Sequence, residues 1–301
     1  MRGSLGHDGG RWPASSFQLP AKDIDVYPAR MEIPLEDTFA DIIGKAQRGL
    51  GLSDNDLENH AGITESDLIV LKEGKFDPFV IRSLAPLLGL NVEALVALGA
   101  GTYKPAPVAL RGLECFNTPF GDMRVNSYLV WDEATKEAAA FDTGADATPM
   151  LDFLGAHGLA LNSLFLTHTH GDHILELDRL VEKTGAAAFV GNREPVLEGA
   201  EPFEAGKQFL IGGLTVGTRL TWGHAQGGIT YVVQGLEKSV AIVGDAVFAG
   251  SMGGGGVSYA DALRTNGKEI MSLPDETILA CGHGPLTTVG EQKKSNPFLA
   301  V

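Results

Sequence analysis

The stretch THTHGDH, residues 167–173, decides how the rest of this chain is interpreted. It places three histidines and one aspartate within six positions, although the 301 residues include only eight histidines. His168 and His170 stand two apart at the end of a predicted strand, so their side chains point to one face. The glycine that follows lets the chain turn and bring Asp172 and His173 to the same point. Because imidazole and carboxylate groups suit zinc, iron or manganese, the pattern predicts a metal site.

Three residues further along the chain extend this set. His224 lies in WGHAQGG, Asp245 in VGDAVF and His283 in ACGHGP, each beside glycine where a predicted strand gives way to a loop. Such loops commonly carry catalytic groups on a rigid scaffold. A polar turn with exposed histidines is the alternative interpretation. It suits a lone histidine, but not five of eight histidines in one spaced set.

The region from about residue 110 onward alternates predicted strands with helices. NSYLVW and EAAAFDTG (126–144) indicate a hairpin pair, and LNSLFLTHTH a strand that leads into the histidine motif. ILELDRLVEKTG predicts an amphipathic helix that ends at Gly185, and further strands are predicted in AAAFVG, GLTVGTRLTW, GITYVVQG and SVAIVGDAVF. This mixture predicts a layered α/β or α+β domain.

The order HxHxDH, single His, Asp and last His resembles that of the metallo-β-lactamase-fold hydrolases, over about residues 113–298. The resemblance implies an αββα sandwich with the site at one edge between the sheets. It implies two divalent metal ions, with zinc expected first and iron or manganese as alternatives. The implied ligands are His168, His170 and His224 for the first ion, Asp172, His173 and His283 for the second, and Asp245 for both.

Within that superfamily, the C-terminal part resembles the glyoxalase II (hydroxyacylglutathione hydrolase) group. GDAVFAGSMG (244–253) matches its Phe-x-Gly-Ser loop, and the last histidine lies in Gly-His-Gly-Pro ahead of Asn-Pro-Phe. This chain departs from the group in three places. It has HAQGG where the group has Thr-Pro-Gly, and MGGGGVSY where the group has Arg and Asp. Full-length members of the group end in a helical domain that binds glutathione, whereas 18 residues follow His283 here. The resemblance therefore supports hydrolysis of a thioester or other ester more strongly than it supports specificity for glutathione. The Asn296–Phe298 ending is predicted to pack on the core as a strap.

The predicted mechanism uses a hydroxide that two ions generate at neutral pH. Asp172 is the expected proton acceptor. Cys281, two residues before His283, is interpreted as a small buried residue, not a nucleophile. A second enzymatic hypothesis keeps the fold but uses one iron, as in the persulfide dioxygenases that resemble glyoxalase II.

The preceding region reads as short helices and divides the chain into an extended arm (1–31), a helical domain (32–104) and the catalytic domain (105–301). Helix starts are predicted at Ser53, Thr64, Asp77-Pro78 and Asn91. Residues 50–98 resemble a Cro/C1-type helix-turn-helix domain. A third hypothesis is therefore a DNA-binding regulator whose metallo-β-lactamase-like domain senses a ligand.

Charge argues against that third hypothesis. Residues 32–98 contain 12 acidic and 5 basic residues, a net charge of −7, which repels a polyanion. We favour a helical domain that serves dimerisation or covers the active site, where it would lend side chains to the glycine loop 253–256. Surplus apolar positions in its last two helices predict a homodimer.

Composition limits the remaining classes. The net charge of −15 disfavours nucleic acid and anionic membranes as partners. No apolar run is long enough to cross a bilayer, and the first thirty residues lack the apolar core of a secretory signal. Two cysteines, Cys115 and Cys281, make no disulfide framework. We expect a cytoplasmic enzyme that acts on a small-molecule ester or thioester and does not associate with a membrane.

Overall fold

Two six-stranded sheets form the centre of the fold in the computed structural model, which describes residues 32–300. In both sheets the spatial order of the strands is their order along the chain. The first sheet consists of β1 (Leu113–Phe120), β2 (Met123–Trp131), β3 (Glu137–Phe141), β4 (Ala160–Leu166), β5 (Ala187–Gly191) and β6 (Ala200–Phe203). The second consists of β7 (Gln208–Ile211), β8 (Leu214–Leu220), β9 (Ile229–Gln234), β10 (Val240–Gly244), β11 (Ile278–Cys281) and β12 (Thr287–Thr288).

Strand direction follows from the connections. The first three strands of the first sheet are antiparallel, joined by short turns, and β3 to β6 run parallel. In the second sheet only β10 and β11 are parallel. The helices are α1 (Phe39–Leu50), α2 (Asp54–Ala61), α3 (Glu65–Lys72), α4 (Pro78–Leu87), α5 (Val92–Gly99), α6 (Thr148–His157), α7 (Gly171–Ile174), α8 (Leu177–Thr184), α9 (Tyr259–Thr265), a π-helical turn (Asn266–Ile270) and α10 (Val289–Ser295).

The core lies in three layers around the two sheets. Tyr128, Phe141, Phe165 and Tyr231 are among the residues buried between the sheets. The outer face of the first sheet is covered by α6 and α8, and that of the second by the π-helical turn and α10. Because both faces of both sheets are covered, strands such as β10 are buried along their whole length. The predicted αββα fold class is confirmed.

Local capping explains the five helices before the sandwich. Thr38, Ser53 and Thr64 each accept a hydrogen bond from the backbone N–H three residues on, and the aspartate there bonds back to the cap. Asp77 and Asn91 cap α4 and α5. The four predicted helix starts are therefore confirmed. The helix-turn-helix resemblance of residues 50–98 stays a prediction, and DNA binding stays the disfavoured hypothesis.

The helical segment (residues 33–99, which include α1 to α5) and the sandwich share one hydrophobic cluster. Ile42, Leu84 and Leu95 of the helices pack with Met252 and Tyr259, which follow β10. Residues 33–300 cluster as one compact unit. The boundary between residues 104 and 105 stays a prediction, and the arm predicted for residues 1–31 lies outside the described residues.

The end of the chain packs as the predicted strap. Asn296 is fully buried and donates to the Ser251 carbonyl at 2.7 Å. The Asn91 N–H donates to the Pro297 carbonyl at 2.7 Å, and Phe298 packs against the helical segment. Within residues 32–300, no helix is long and apolar enough to cross a membrane.

Candidate metal centre

Seven side chains converge at one edge of the sandwich. His168 and His170 follow the end of β4, and Asp172 and His173 lie in α7. The remaining three come from the second sheet: His224 from the turn between β8 and β9, Asp245 after β10 and His283 after β11. The Ile229 N–H donates to the Thr167 carbonyl at 2.8 Å and ties the two sheets together at this edge. All seven residues predicted as metal ligands are thus brought together, in two groups.

The first group contains three imidazoles and one carboxylate: His168, His170, His224 and Asp245. His170 Nδ1 lies 2.9 Å from His168 Nε2 and 3.1 Å from His224 Nε2. His224 Nε2 lies 3.4 Å from Asp245 Oδ2. One donor atom of each residue lies within 4.8 Å of all the others, which is close enough for a single ion to contact them.

The second group contains Asp172, His173 and His283. Asp172 Oδ2 lies 3.2 Å from His283 Nε2 and 3.5 Å from His173 Nε2. Asp245 reaches this group as well, with Oδ1 at 3.3 Å from His173 Nε2 and Oδ2 at 3.5 Å from His283 Nε2. Its carboxylate therefore stands between the groups, where a bridging ligand would stand.

Backbone carbonyls orient two of the imidazoles. Nδ1 of His224 lies 2.9 Å from the Gly254 carbonyl, and Nδ1 of His283 lies 2.7 Å from the Arg124 carbonyl. A carbonyl only accepts, so each Nδ1 carries the proton. In the neutral imidazole, which is the form that binds a metal, the lone pair is then on Nε2, which faces the centre.

Asp142 orients a third imidazole. It follows β3, and its Oδ2 lies 2.8 Å from His173 Nδ1. The same carboxylate accepts from the N–H and hydroxyl of Thr167, at 2.7 and 2.8 Å. Its φ of 56° is unusual for a residue other than glycine, and such strain is common at functional sites. Asp142 is not among the residues predicted from the sequence; an acidic residue directly after the buried strand EAAAF was the available signal.

Two imidazoles of the first group, those of His168 and His224, are neutral and ready to donate. Burial lowers the pKa of His168 well below its ordinary value, and His173 nearby adds to this effect. Burial also lowers the pKa of His224, although Asp245 opposes it. Both imidazoles therefore keep a free lone pair at neutral pH.

The second group favours positive charge at its centre. Burial opposes a charge on His173, but Asp142 and Asp245 outweigh it and raise its pKa to about 10. Burial likewise opposes a charge on His283, yet Asp172 and Asp245 raise its pKa to about 11. Burial would raise the pKa of Asp245, but His173 and His283 hold that pKa well below its usual range. A divalent cation brings the kind of charge that these carboxylates stabilise.

Unpartnered atoms and close backbone packing support a metal at this point. His173 Nε2 and Asp245 Oδ1 are two of four buried side-chain polar atoms without a hydrogen bond in residues 32–300. Buried polar atoms rarely lack a partner, and an ion between them supplies one. A Cβ on Gly282 would lie 2.2 Å from Asp245 Oδ1 and 2.8 Å from His173 Cε1. The residues present fit divalent cations.

Glu194, which is also not among the residues predicted from the sequence, connects two ligand-bearing loops. Its Oε2 accepts from the N–H and hydroxyl of Thr169, at 3.0 and 2.6 Å, between the first two histidines. Its Oε1 accepts from the Gly227 N–H at 2.6 Å, in the turn that carries His224. The local sequence GNREPV gives no signal for this role, because both partners are distant in the chain.

The segment before α1 reaches the rim of the centre. Glu36 Oε2 lies 4.0 Å from His283 Nδ1. Gly284 allows this approach, since a Cβ there would lie 3.2 Å from the Glu36 nitrogen. Burial raises the pKa of Glu36, and His283 opposes the shift. The helical segment is thus part of the surroundings of the site.

The part of the chain that carries these seven residues is similar in sequence to known proteins. The model of the metallo-beta-lactamase superfamily matches residues 120–283, which include all seven residues. The beta-lactamase hydrolase-like protein of Agrobacterium fabrum is 32% identical over 202 residues, which are 57% of this chain and 46% of that protein. Hydroxyacylglutathione hydrolase GloC of Haemophilus influenzae is 29% identical over 208 residues, 60% of this chain and 95% of that protein. This chain thus spans about half of the first relative and nearly all of the second.

A solved structure shares the fold. The crystal structure of ETHE1 from Myxococcus xanthus matches with a TM-score of 0.55 and 25% identity, over 62% of this chain and 84% of that one.

Proposed function

Because the chain belongs to the metallo-beta-lactamase superfamily, we propose that it is a hydrolase of a thioester or other ester that uses two divalent metal ions. One observation carries the proposal. The seven donor residues form two adjoining groups, and the Asp245 carboxylate lies within 3.5 Å of imidazoles in both. Zinc is the expected ion, and iron or manganese are the alternatives that the same donors suit.

Bound divalent ions would supply a hydroxide nucleophile at neutral pH and polarise the carbonyl of the substrate. The chain supplies the rest. Gly254 and Arg124 carbonyls keep His224 and His283 in the tautomer that faces the centre. Asp172 accepts the proton: burial would raise its pKa, but His283 and His173 lower it, so the carboxylate is ionised at neutral pH.

The substrate class is proposed from the similarity to GloC, whose name specifies a hydroxyacylglutathione. Glutathione itself is not proposed. The loop that carries Arg and Asp in the glyoxalase II group is here the glycine run 253–256, which has no side chains to hold a carrier. We expect weak saturation with S-lactoylglutathione and better turnover of a thioester with a smaller carrier.

The test uses the full chain, freed of metal and reloaded with Zn²⁺, Fe²⁺ or Mn²⁺. Its substrates are S-lactoylglutathione, a short acyl thioester, a lactone and a phosphodiester. We expect about two ions per chain and thioester hydrolysis without oxygen uptake. One iron per chain with oxygen consumption would replace the proposal by the mononuclear dioxygenase hypothesis. No turnover with any metal would refute both.

A further inference from the structure

The loop after Asp245 touches two predicted ligands through its backbone. The Gly253 N–H donates to the Asp245 carbonyl at 2.9 Å, and the Gly254 carbonyl accepts from His224 Nδ1 at 2.9 Å. Four consecutive glycines, 253–256, give this part of the loop no side chains with which to anchor itself. Its position therefore depends on groups from elsewhere.

Anchors stand on both sides of the glycine run. On one side, Asn296 holds the Ser251 carbonyl at 2.7 Å. On the other, the N–H groups of residues 257 and 258 donate to the Gly223 carbonyl at 3.0 and 2.9 Å. Between these anchors, Lys45 of α1 donates to the Met252 carbonyl at 2.9 Å.

Asp37, just before α1, fixes Lys45 in this position. Asp37 Oδ2 lies 2.5 Å from Lys45 Nζ and accepts from the Ser251 hydroxyl at 2.5 Å. The side chains of Lys45 and Asp37 are 16% and 8% exposed, so the pair is largely shielded from water. The ammonium group also lies 5.2 Å from the centre of the Phe248 ring. A buried pair of this kind adds little net stability compared with apolar packing.

We infer that Lys45 and Asp37 are positioning residues of the metal centre. They hold Ser251 and Met252, directly before the glycine run, and so keep the Gly254 carbonyl against His224 Nδ1. The helical segment thereby controls the ion held by His168, His170 and His224. The inference rests on the proposed metal centre. It also assigns the helical segment a role that no residue of the histidine motif indicates.

The test measures Co²⁺ binding to the full chain by calorimetry and visible absorption. Lys45→Met keeps the length of the side chain and removes its charge and hydrogen bonds. We expect Co²⁺ affinity at the group with His224 to fall about 10- to 100-fold, as for other residues that orient metal ligands, with an altered Co²⁺ spectrum. Affinity at the group with His283 should stay as in the wild type.

The control is Lys72→Met, which breaks a 2.5 Å pair with Asp54 on the exposed side of the same helical segment. It should leave both Co²⁺ affinities unchanged. Ser251→Ala is the second variant, because it removes one hydrogen bond to Asp37 with little change in volume; we expect a smaller loss at the same group. Folding is checked by circular dichroism.

Folded Lys45→Met and Ser251→Ala proteins with wild-type affinity at both groups would overturn the inference. So would an equal loss at both groups, since that indicates general destabilisation. A wild-type chain that binds no Co²⁺ would instead overturn the proposed metal centre, and the inference with it.

Discussion

Individual atoms set the direction of each donor in the candidate centre. That His168, His170, Asp172 and His173 meet at one point could be predicted from the seven residues THTHGDH. Their orientation could not, because the group that orients His173 is Asp142, which follows another strand and lies 31 positions earlier. A pairing over that distance leaves no local pattern.

Removing a predicted ligand is the first test at this scale. His168→Ala and Asp245→Ala should each lower metal content and reduce hydrolysis to near the detection limit, because a donor atom is lost from the ion itself. Metal per chain is measured by atomic emission. His157→Ala is the control, since His157 is exposed on α6 and outside the set. Full metal occupancy in either ligand variant would show that its assignment is wrong.

Two neighbouring glycines provide a second test. A Cβ on Gly253 would lie 2.1 Å from the Asp245 carbonyl oxygen and 2.7 Å from His224 Nδ1, whereas one on Gly254 meets nothing within 4 Å. Neither residue has a positive φ, so only the clash differs. Gly253→Ala should therefore lose metal affinity by about tenfold or more, a cost comparable with losing a group that orients a ligand. Gly254→Ala should bind metal as the wild type does. Equal behaviour of the two variants in a metal titration would contradict this account.

At the scale of elements, what local chemistry specifies could be predicted. The starts of α2 to α5 follow from capping residues, and Gly185 ends α8 in the left-handed conformation that was expected of it. Short strands such as β6 and β12 escaped prediction, because four or two residues carry no periodicity. Their place depends on pairing with β5 and β11.

The glycine loop 253–256 requires a different explanation from the one that its sequence suggested. The sequence favours a loop without side chains to which the helical segment adds side chains for the site. Gly253 is pressed against two ligand residues, and a Cβ on Gly255 would lie 2.4 Å from the Tyr259 Cα. Close packing therefore accounts for these two glycines. The helical segment holds the loop through Lys45.

Glu194 should act between elements, not on one ligand. Glu194→Gln puts an amide in place of a carboxylate that accepts three hydrogen bonds, so at least one N–H must lose its partner. We expect a loss of about 1–3 kcal/mol in the free energy of unfolding, together with lower metal affinity at the first group. Chemical denaturation and metal titration measure the two effects. Glu198→Gln, on an exposed residue, should change neither. Wild-type values in Glu194→Gln would exclude the bridging role.

For the whole molecule, the shared cluster buries within the chain most of the apolar residues that the sequence assigned to a dimer interface. The apolar residues of α4 and α5 that suggested a dimer are largely buried within the chain, among them Ile81, Leu84 and Leu95. Phe79 and Ile69 stay 80% and 49% exposed. The homodimer is still a prediction, and it now rests on these exposed side chains.

Sedimentation velocity of the full chain at micromolar concentration tests that prediction. A dimer that Phe79→Ser converts to a monomer would support an interface at α4. Monomers of the wild type under these conditions would remove the homodimer.

Removing residues 1–104 should expose the other side of the shared cluster. Met252, Tyr259 and Ala262 are buried by the helices, so we expect the truncated chain to aggregate and to bind metal weakly at His224. Light scattering and metal analysis give the readouts. Met252→Gln in the truncated chain should reduce aggregation without restoring metal affinity. A soluble truncated chain with full metal content would show that the helical segment is independent of the centre.

The cluster that joins the helices to Met252, Tyr259 and Phe298 also constrains biosynthesis. The helices are translated first, yet Phe298 is added about 200 residues after α5. At about 5–20 residues per second, this is roughly 10–40 s during which the nascent helical segment has one apolar side uncovered on the ribosome. Apolar surface exposed over that interval is prone to aggregation, and Phe298 is among the last residues that cover the cluster.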